Sequence, residues 1–263
     1  MTLGENFTRG VVEAFGYKIP YIEAGEGEVL ISLPGSAGLE LSTAKDALAK
    51  SYRVIELDPP GWGETTPLEG RMRQRDVAIV LAAAIQEMGI DSYHLLGTSM
   101  GGTNAYWLAS QYPDRIKSII LEAPMLFTGP DELIDPSALQ MIEALVGGMP
   151  IPDMSGYPAP PPHPNKPWAD EAFFREQMRR RFVMMAKSDH SYDAPELRAF
   201  AQTSEIPTLL LFGTEEEILN QGYPEHFKSL VRGGKVSILE GGIHDLQNSV
   251  PDAFVAEVKA HIG

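Results

Sequence analysis

The sequence predicts an α/β protein: a mostly parallel, eight-stranded sheet flanked by helices, with a helical, proline-rich insertion after the sixth strand. Short apolar runs alternate with segments of helical period, the pattern of strands joined by crossover helices. The alternation breaks between about Pro124 and Pro207 and then resumes. A chain of 263 residues, 43% of them hydrophobic and 22% charged, can bury one large core.

Val11 to Phe15 and Lys18 to Glu23 read as an opening hairpin. Val29 to Leu33 is a short buried strand ending at Pro34-Gly35, and Tyr52 to Asp58 is the next, closed by Pro59-Pro60-Gly61. Val77, Val80, Leu81, Ala84, Ile85 and Met88 recur at helical spacing, with Gly89 just past the end. His94 to Gly97 is the fifth strand. A helix carrying Tyr106, Leu108 and Ala109 follows it and stops before Pro113, and Ile116 to Leu121 is the sixth strand. Parallel strands in this order require helices on the sheet faces.

In the interruption, Asp135-Pro136 is a good helix start, followed by Leu139, Ile142, Leu145 and Val146 on one face. Pro160-Pro161-Pro162 lies in a stretch that excludes regular helix or inner strand. A second helix is expected from about Asp170 to Ala186, with Phe174, Met178, Phe182 and Met185 on one face and Arg175, Arg179 and Arg180 on the other. Strands return at Thr208 to Phe212 and Lys235 to Leu239, and a last helix runs from about Pro251 to Ile262. The division expected is therefore a core of residues 1–124 and 206–263 with an insertion of residues 125–205.

Composition excludes several function classes. A formal charge of −15 argues against nucleic acid and anionic membrane surfaces as partners. No run of about 18 apolar residues predicts a membrane span. Met1 to Asn6 lack the basic and apolar pattern of a secretory leader. Cysteine is absent, so disulfides and thiolate metal sites are excluded, and a cytoplasmic location is expected.

The chemistry centres on Gly97-Thr98-Ser99-Met100-Gly101-Gly102. An apolar strand ends in Gly-x-Ser-x-Gly and a helical pattern begins at once, which is the context of a nucleophile elbow with its serine Oγ exposed above the sheet. A serine hydroxyl needs a base. Of the six histidines, His244 lies on a loop directly after an apolar strand, so it reaches the same carboxyl edge of the sheet as Ser99. His94 begins a buried strand and reads as structural. The acid that orients the base is expected between Ser99 and His244 in the chain. Glu216, then Glu217, at the end of the strand Thr208 to Phe212 are the first candidates; Glu122, at the end of the sixth strand, is the alternative. Donors for a developing oxyanion are expected from the backbone N–H groups of Met100 and of Ser36 in the loop Leu33-Pro34-Gly35-Ser36-Ala37-Gly38.

With these motifs in place the chain resembles the α/β-hydrolase superfamily along nearly its whole length. The elbow is similar to those of meta-cleavage-product hydrolases, cofactor-free haloperoxidases and small esterases. Asp58-Pro59-Pro60-Gly61-Trp62-Gly63 resembles the family's turn after the fourth strand, Tyr112-Pro113-Asp114-Arg115-Ile116 its link into the sixth, Gly213-x-x-Glu216 its acid turn, and His244 with Pro251 its histidine loop. The resemblance implies that residues 125–205 form a cap over the site. Two positions depart from the pattern: Pro34 stands where the family usually has the histidine of His-Gly, so the oxyanion loop needs different hydrogen-bond support, and Glu216 replaces the usual Asp. The serine at the elbow sets the chain apart from haloalkane dehalogenases and epoxide hydrolases, which use Asp there.

The expected activity is a serine hydrolase for a small or medium carboxylic ester or lactone, acting through an acyl-enzyme on Ser99, with no metal or organic cofactor. Phe174, Met178, Phe182 and Met185 are candidates to line an apolar substrate pocket. The alternatives are a carbon–carbon bond hydrolase of a vinylogous diketone and a ligand receptor on the same scaffold without turnover.

Overall fold

The computed structural model describes residues 2–65, 70–128, 136–153 and 164–263. Asp135, Pro160 to Pro162 and His163 fall outside the described residues, as do the side chains of Leu139 and Ile142.

Strands β1 (Thr8–Ala14) and β2 (Tyr17–Ala24) form the opening hairpin, and β2 pairs antiparallel with β4 (Arg53–Leu57). The others, β3 (Val29–Leu33), β5 (Tyr93–Thr98), β6 (Ile116–Glu122), β7 (Thr208–Gly213) and β8 (Lys235–Leu239), pair in parallel with their neighbours, as does β4 with β3. The order across the eight-stranded sheet is β1-β2-β4-β3-β5-β6-β7-β8. The chain reverses direction across the sheet between β4 and β5, and in such sheets ligands bind beyond the carboxyl ends of the central strands.

Period-2 alternation sends side chains to two faces. Ile31, Leu33, Ile55, Leu57, Leu95, Ile119, Leu121, Leu210 and Phe212 pack on one face with α2 (Gln74–Glu87) and α3 (Met100–Gln111). Leu30, Val54, Leu96, Ile120, Leu209 and Leu211 pack on the other with α1 (Thr43–Leu48) and α9 (Pro251–Ile262). These central strands are apolar on both sides, so they read as continuous runs in the sequence. His94 is buried, with Nδ1 2.8 Å from Ser118 Oγ, a structural pairing.

Within the interruption lie α4 (Pro136–Val146), α5 (Glu171–Lys187) and α6 (Pro195–Thr203). Asp170 caps α5 by accepting from Phe173 N–H at 2.8 Å. Leu197 and Ala201 of α6 join the main core, so the end of the interruption packs on the body of the molecule. Beyond β7 come α7 (Tyr223–Leu230) and α8 (Leu246–Ser249). Helices α1 and α6 are not anticipated from sequence period: the first has six residues, and the second shows two buried positions in nine. Among the described residues no helix is long and apolar enough to cross a membrane.

The crossing of α3 over β3 is held close by glycine. A Cβ built at Gly101 would lie 2.1 Å from the Leu33 carbonyl oxygen, whereas one at Gly70 would meet open space. Gly101→Ala is expected to cost at least about 2 kcal/mol in urea unfolding, and Gly70→Ala less than about 0.5 kcal/mol. Equal stability of the two variants would contradict the close crossing.

Candidate active site

Ser99 stands between β5 and α3 with φ 51° and ψ −119°, a conformation costly for a residue with a Cβ. The turn is held by backbone hydrogen bonds on both sides. Ser99 N–H donates to the Glu122 carbonyl at 2.9 Å, and the Ser99 carbonyl accepts from Gly102 and Met125 N–H, each at 2.9 Å. Small neighbours are required as well, since a Cβ at Gly97 would lie 2.7 Å from the Gly101 carbonyl oxygen and from Gly102 Cα. The hydroxyl is thereby raised at the carboxyl edge of the sheet.

The loop after β8 brings His244 to it. His244 Nε2 lies 3.0 Å from Ser99 Oγ, and Nδ1 lies 2.7 Å from Glu216 Oε1. The Glu216 side chain is fully buried and that of His244 is 20% exposed. Burial pushes the Glu216 carboxyl up, but the hydrogen bond and charge of His244 and the N–H groups of Ile218 and Leu219 outweigh it and hold it below the usual carboxylate range. An ionised carboxylate only accepts, so Nδ1 carries a proton, and in the neutral imidazole Nε2 is the nitrogen that accepts from Ser99. Glu217 Oε2 accepts from His244 N–H at 3.1 Å and so secures the histidine backbone rather than its ring.

Glu122 has a different set of partners. It is completely buried, and burial raises its pKa against the hydrogen bonds from Thr98 and Gln247. Gln247 N–H donates to Oε1 at 3.1 Å, while Thr98 Oγ1 and Gln247 Nε2 each donate to Oε2 at 2.6 Å. Glu122 therefore ties the turn after His244 to the end of β6, and the imidazole is bonded to Glu216. Gln247 and Thr98 carry no sequence signal as site residues, because their role depends on β5, β6 and α8 meeting in space.

Ser36 lies in the turn across from the serine: a Cβ at Gly35 would be 3.4 Å from Ser99 Cβ. The N–H groups of Ser36 and of Met100, the first residue of α3, take no acceptor among the described residues. Both residues adjoin Ser99, Met100 along the chain and Ser36 across the cavity that Ser36 and Ser99 border.

A cavity of about 210 Å³ opens at Ser99 and His244, lined also by Gly35, Ser36, Lys45 and Arg181. A second, of about 200 Å³, shares Ala37, Glu40 and Arg181 with it and runs under α5 along Phe174, Gln177 and Met178. Phe182 and Met185 line neither cavity. Steps of four residues drift about 40° per step around a helix of 3.6 residues per turn, so Phe182 has left the face of Phe174, and Arg181 at i+7 holds it. Met185 packs instead against the main core. The i, i+4, i+7 spacing of Phe174, Met178 and Arg181 is the signal that finds Arg181. Burial lowers the pKa of its guanidinium, partly opposed by Glu40, and the group makes no hydrogen bond or ion pair among the described residues.

Comparison with known proteins agrees with this architecture. A protein-family model described as alpha/beta hydrolase fold matches residues 30–149. A 2-hydroxy-6-oxononadienedioate/2-hydroxy-6-oxononatrienedioate hydrolase of Burkholderia vietnamiensis is 37% identical over 112 residues, 40% of this chain and 39% of that protein. The match thus spans about two fifths of the relative's length. Among solved structures, carboxylesterase CesB from Bacillus subtilis superposes with a TM-score of 0.73 at 17% identity, over 97% of this chain and 91% of that one. A variant of the meta-cleavage product hydrolase CumD gives 0.69 at 18% identity, over 96% and 97%. At these identities the structural matches establish the fold.

The two carboxylates predict different variants. With the imidazole bonded to Glu216, Glu216→Gln is expected to lower kcat at least about 10²-fold, and Glu122→Gln clearly less, with both variants folded. A nearly inactive Glu122→Gln beside a nearly normal Glu216→Gln would transfer the orienting role to Glu122.

Proposed function

We propose that the chain is a serine hydrolase of the α/β-hydrolase superfamily, cleaving a small carboxylic ester or lactone that carries an anionic group. The observation that carries the reading is the continuous hydrogen-bonded chain from Ser99 through His244 to Glu216 at the mouth of a cavity. As the Ser99 oxygen attacks the substrate carbonyl, its proton passes to His244 Nε2, and Glu216 stabilises the imidazolium that forms. The carbonyl oxygen becomes an oxyanion facing the Ser36 and Met100 N–H groups. Collapse expels the alcohol, which takes the proton from Nε2 and leaves an acyl group on Ser99. Water then attacks with His244 as base, releasing the acid and restoring Ser99.

Arg181 supports the anionic class. Arg181 is half-buried at the cavity wall with no hydrogen-bonded partner among the described residues, and a substrate carboxylate would supply two parallel hydrogen bonds. Phe174 and Met178 would then receive an apolar portion in the second cavity. Residues 125–205, which contribute these groups, would act as the cap.

Carbon–carbon hydrolysis of a vinylogous diketone is the second reading. It is favoured by the relative's name, which specifies a 2-hydroxy-6-oxo dicarboxylate, an acid that suits the same Arg181. In the remaining alternative the scaffold binds a ligand without turnover.

A panel of p-nitrophenyl esters, neutral and carboxylate-bearing, together with a 2-hydroxy-6-oxo dienoate, separates these. Ester turnover is expected, falling at least about 10³-fold in Ser99→Ala. Arg181→Met is expected to raise KM for the carboxylate-bearing ester about tenfold, equivalent to about 1.4 kcal/mol, and to leave the neutral ester within about threefold. Dienoate cleavage without ester turnover would support the second reading, and binding with no turnover the receptor.

A further inference from the structure

The oxyanion turn follows Pro34, and a residue from outside the sheet supports it. Lys166 comes from the middle of the interruption and is 6% exposed. Its ammonium donates to the Ala37 carbonyl at 2.6 Å and lies 3.4 Å from Glu40 Oε1. The adjacent Asn165 carbonyl accepts from Leu41 N–H at 2.8 Å, so the segment grips the chain at both ends of residues 37–41. On the inner side the turn closes on itself, with Gly38 N–H donating to the Gly35 carbonyl at 3.1 Å. Gly38 is left-handed, with φ 77°, and a Cβ there would lie 2.7 Å from Gly63 Cα and 3.0 Å from Asp58 Oδ1. The turn is therefore wedged between the Asp58–Gly63 corner and Lys166.

We propose that Lys166 is a positioning residue: its hydrogen bond to the Ala37 carbonyl holds the Gly35–Gly38 turn so that Ser36 N–H faces the oxyanion formed on the Ser99 adduct. Three features support this. A buried ammonium is costly unless it is paired, and the partners of Lys166 are the Ala37 carbonyl and, at longer range, Glu40. The Ala37 carbonyl lies one residue beyond Ser36, where rotation of the turn would swing the Ser36 N–H away from Ser99. Asp58 reinforces the arrangement from the other side of the turn: its Oδ2 accepts from Glu64 N–H at 2.5 Å, and its Oδ1 would lie 3.0 Å from a Cβ at Gly38. The interruption thereby does more than line the substrate cavity, because it sets the geometry of a donor it does not itself contain.

The proposal rests on the serine-hydrolase reading, and a single probe distinguishes failure of one from failure of the other. Wild-type protein and Lys166→Met are treated with a fluorophosphonate, whose reaction with Ser99 develops charge on the phosphoryl oxygen, and the second-order labelling rate is measured. Lys166→Met is expected to label about 10- to 100-fold more slowly, and to lower kcat for a neutral p-nitrophenyl ester by a similar factor with KM within about threefold. Lys166→Gln, one atom too short to reach the Ala37 carbonyl, is the second variant should the methionine variant not fold, with the same loss expected. Labelling of a folded variant within about twofold of wild type overturns the role of Lys166 and leaves the proposed function standing. A loss that appears in KM rather than in kcat also overturns it, because general loosening of the cavity would explain that result. Wild type that does not label at Ser99 overturns the hydrolase reading and this inference together.

Discussion

The backbone at Ser99 is the constraint on which the rest of the structure depends. A residue with a Cβ is held at positive φ because three hydrogen bonds over-determine it, from Glu122, Gly102 and Met125. Those bonds require β6 beside β5 in register, with Thr98 opposite Glu122. They also require α3 to leave at once over β3, which Gly101 allows by coming so close to the Leu33 carbonyl. The central strands are apolar on both faces so that helices can cover them, and the strained turn is the point where that packing leaves a hydroxyl outside.

The other groups reach the serine by loops, and each loop is held in place by a polar contact. Glu122 clamps Gln247 behind the histidine loop, Glu217 holds the His244 backbone, and Lys166 holds the turn of Ser36. Glu216 is bonded to the imidazole and to two N–H groups of its own turn. A longer acid than aspartate fits because that turn wraps around its carboxylate. The arrangement assigns two buried glutamates to two tasks. One carries charge beside the base. The other, with its pKa raised by burial, organises neighbouring backbone and side-chain amides.

Much of this is legible in the sequence, for a physical reason. Parallel strands announce themselves as apolar runs, and residues just past their carboxyl ends must share one edge, so Ser99, Glu216 and His244 converge by topology alone. The same logic admits Glu122, which also ends a strand, and no spacing distinguishes a carboxylate beneath the edge from one beside the imidazole. Arg181 escapes notice because four consecutive residues of α5 include three arginines, and only the helical phase fixed by Phe174 and Met178 separates it from Arg179 and Arg180. Lys166 leaves no sequence signal, since its partner is a backbone carbonyl far along the chain. Helix α6 is hidden by its length and by the break in the strand pattern around it.

The central claim is that Ser99 attacks a carbonyl whose developing oxyanion is received by the Ser36 and Met100 N–H groups. A crystal structure of the protein treated with a p-nitrophenyl alkylphosphonate tests it most directly. The account predicts a tetrahedral phosphorus bonded to Ser99 Oγ, His244 Nε2 within hydrogen-bond reach of the adduct, and the phosphoryl oxygen about 2.7–3.1 Å from both N–H groups. An unmodified Ser99, or an adduct whose phosphoryl oxygen turns away from Ser36 and Met100, would contradict it.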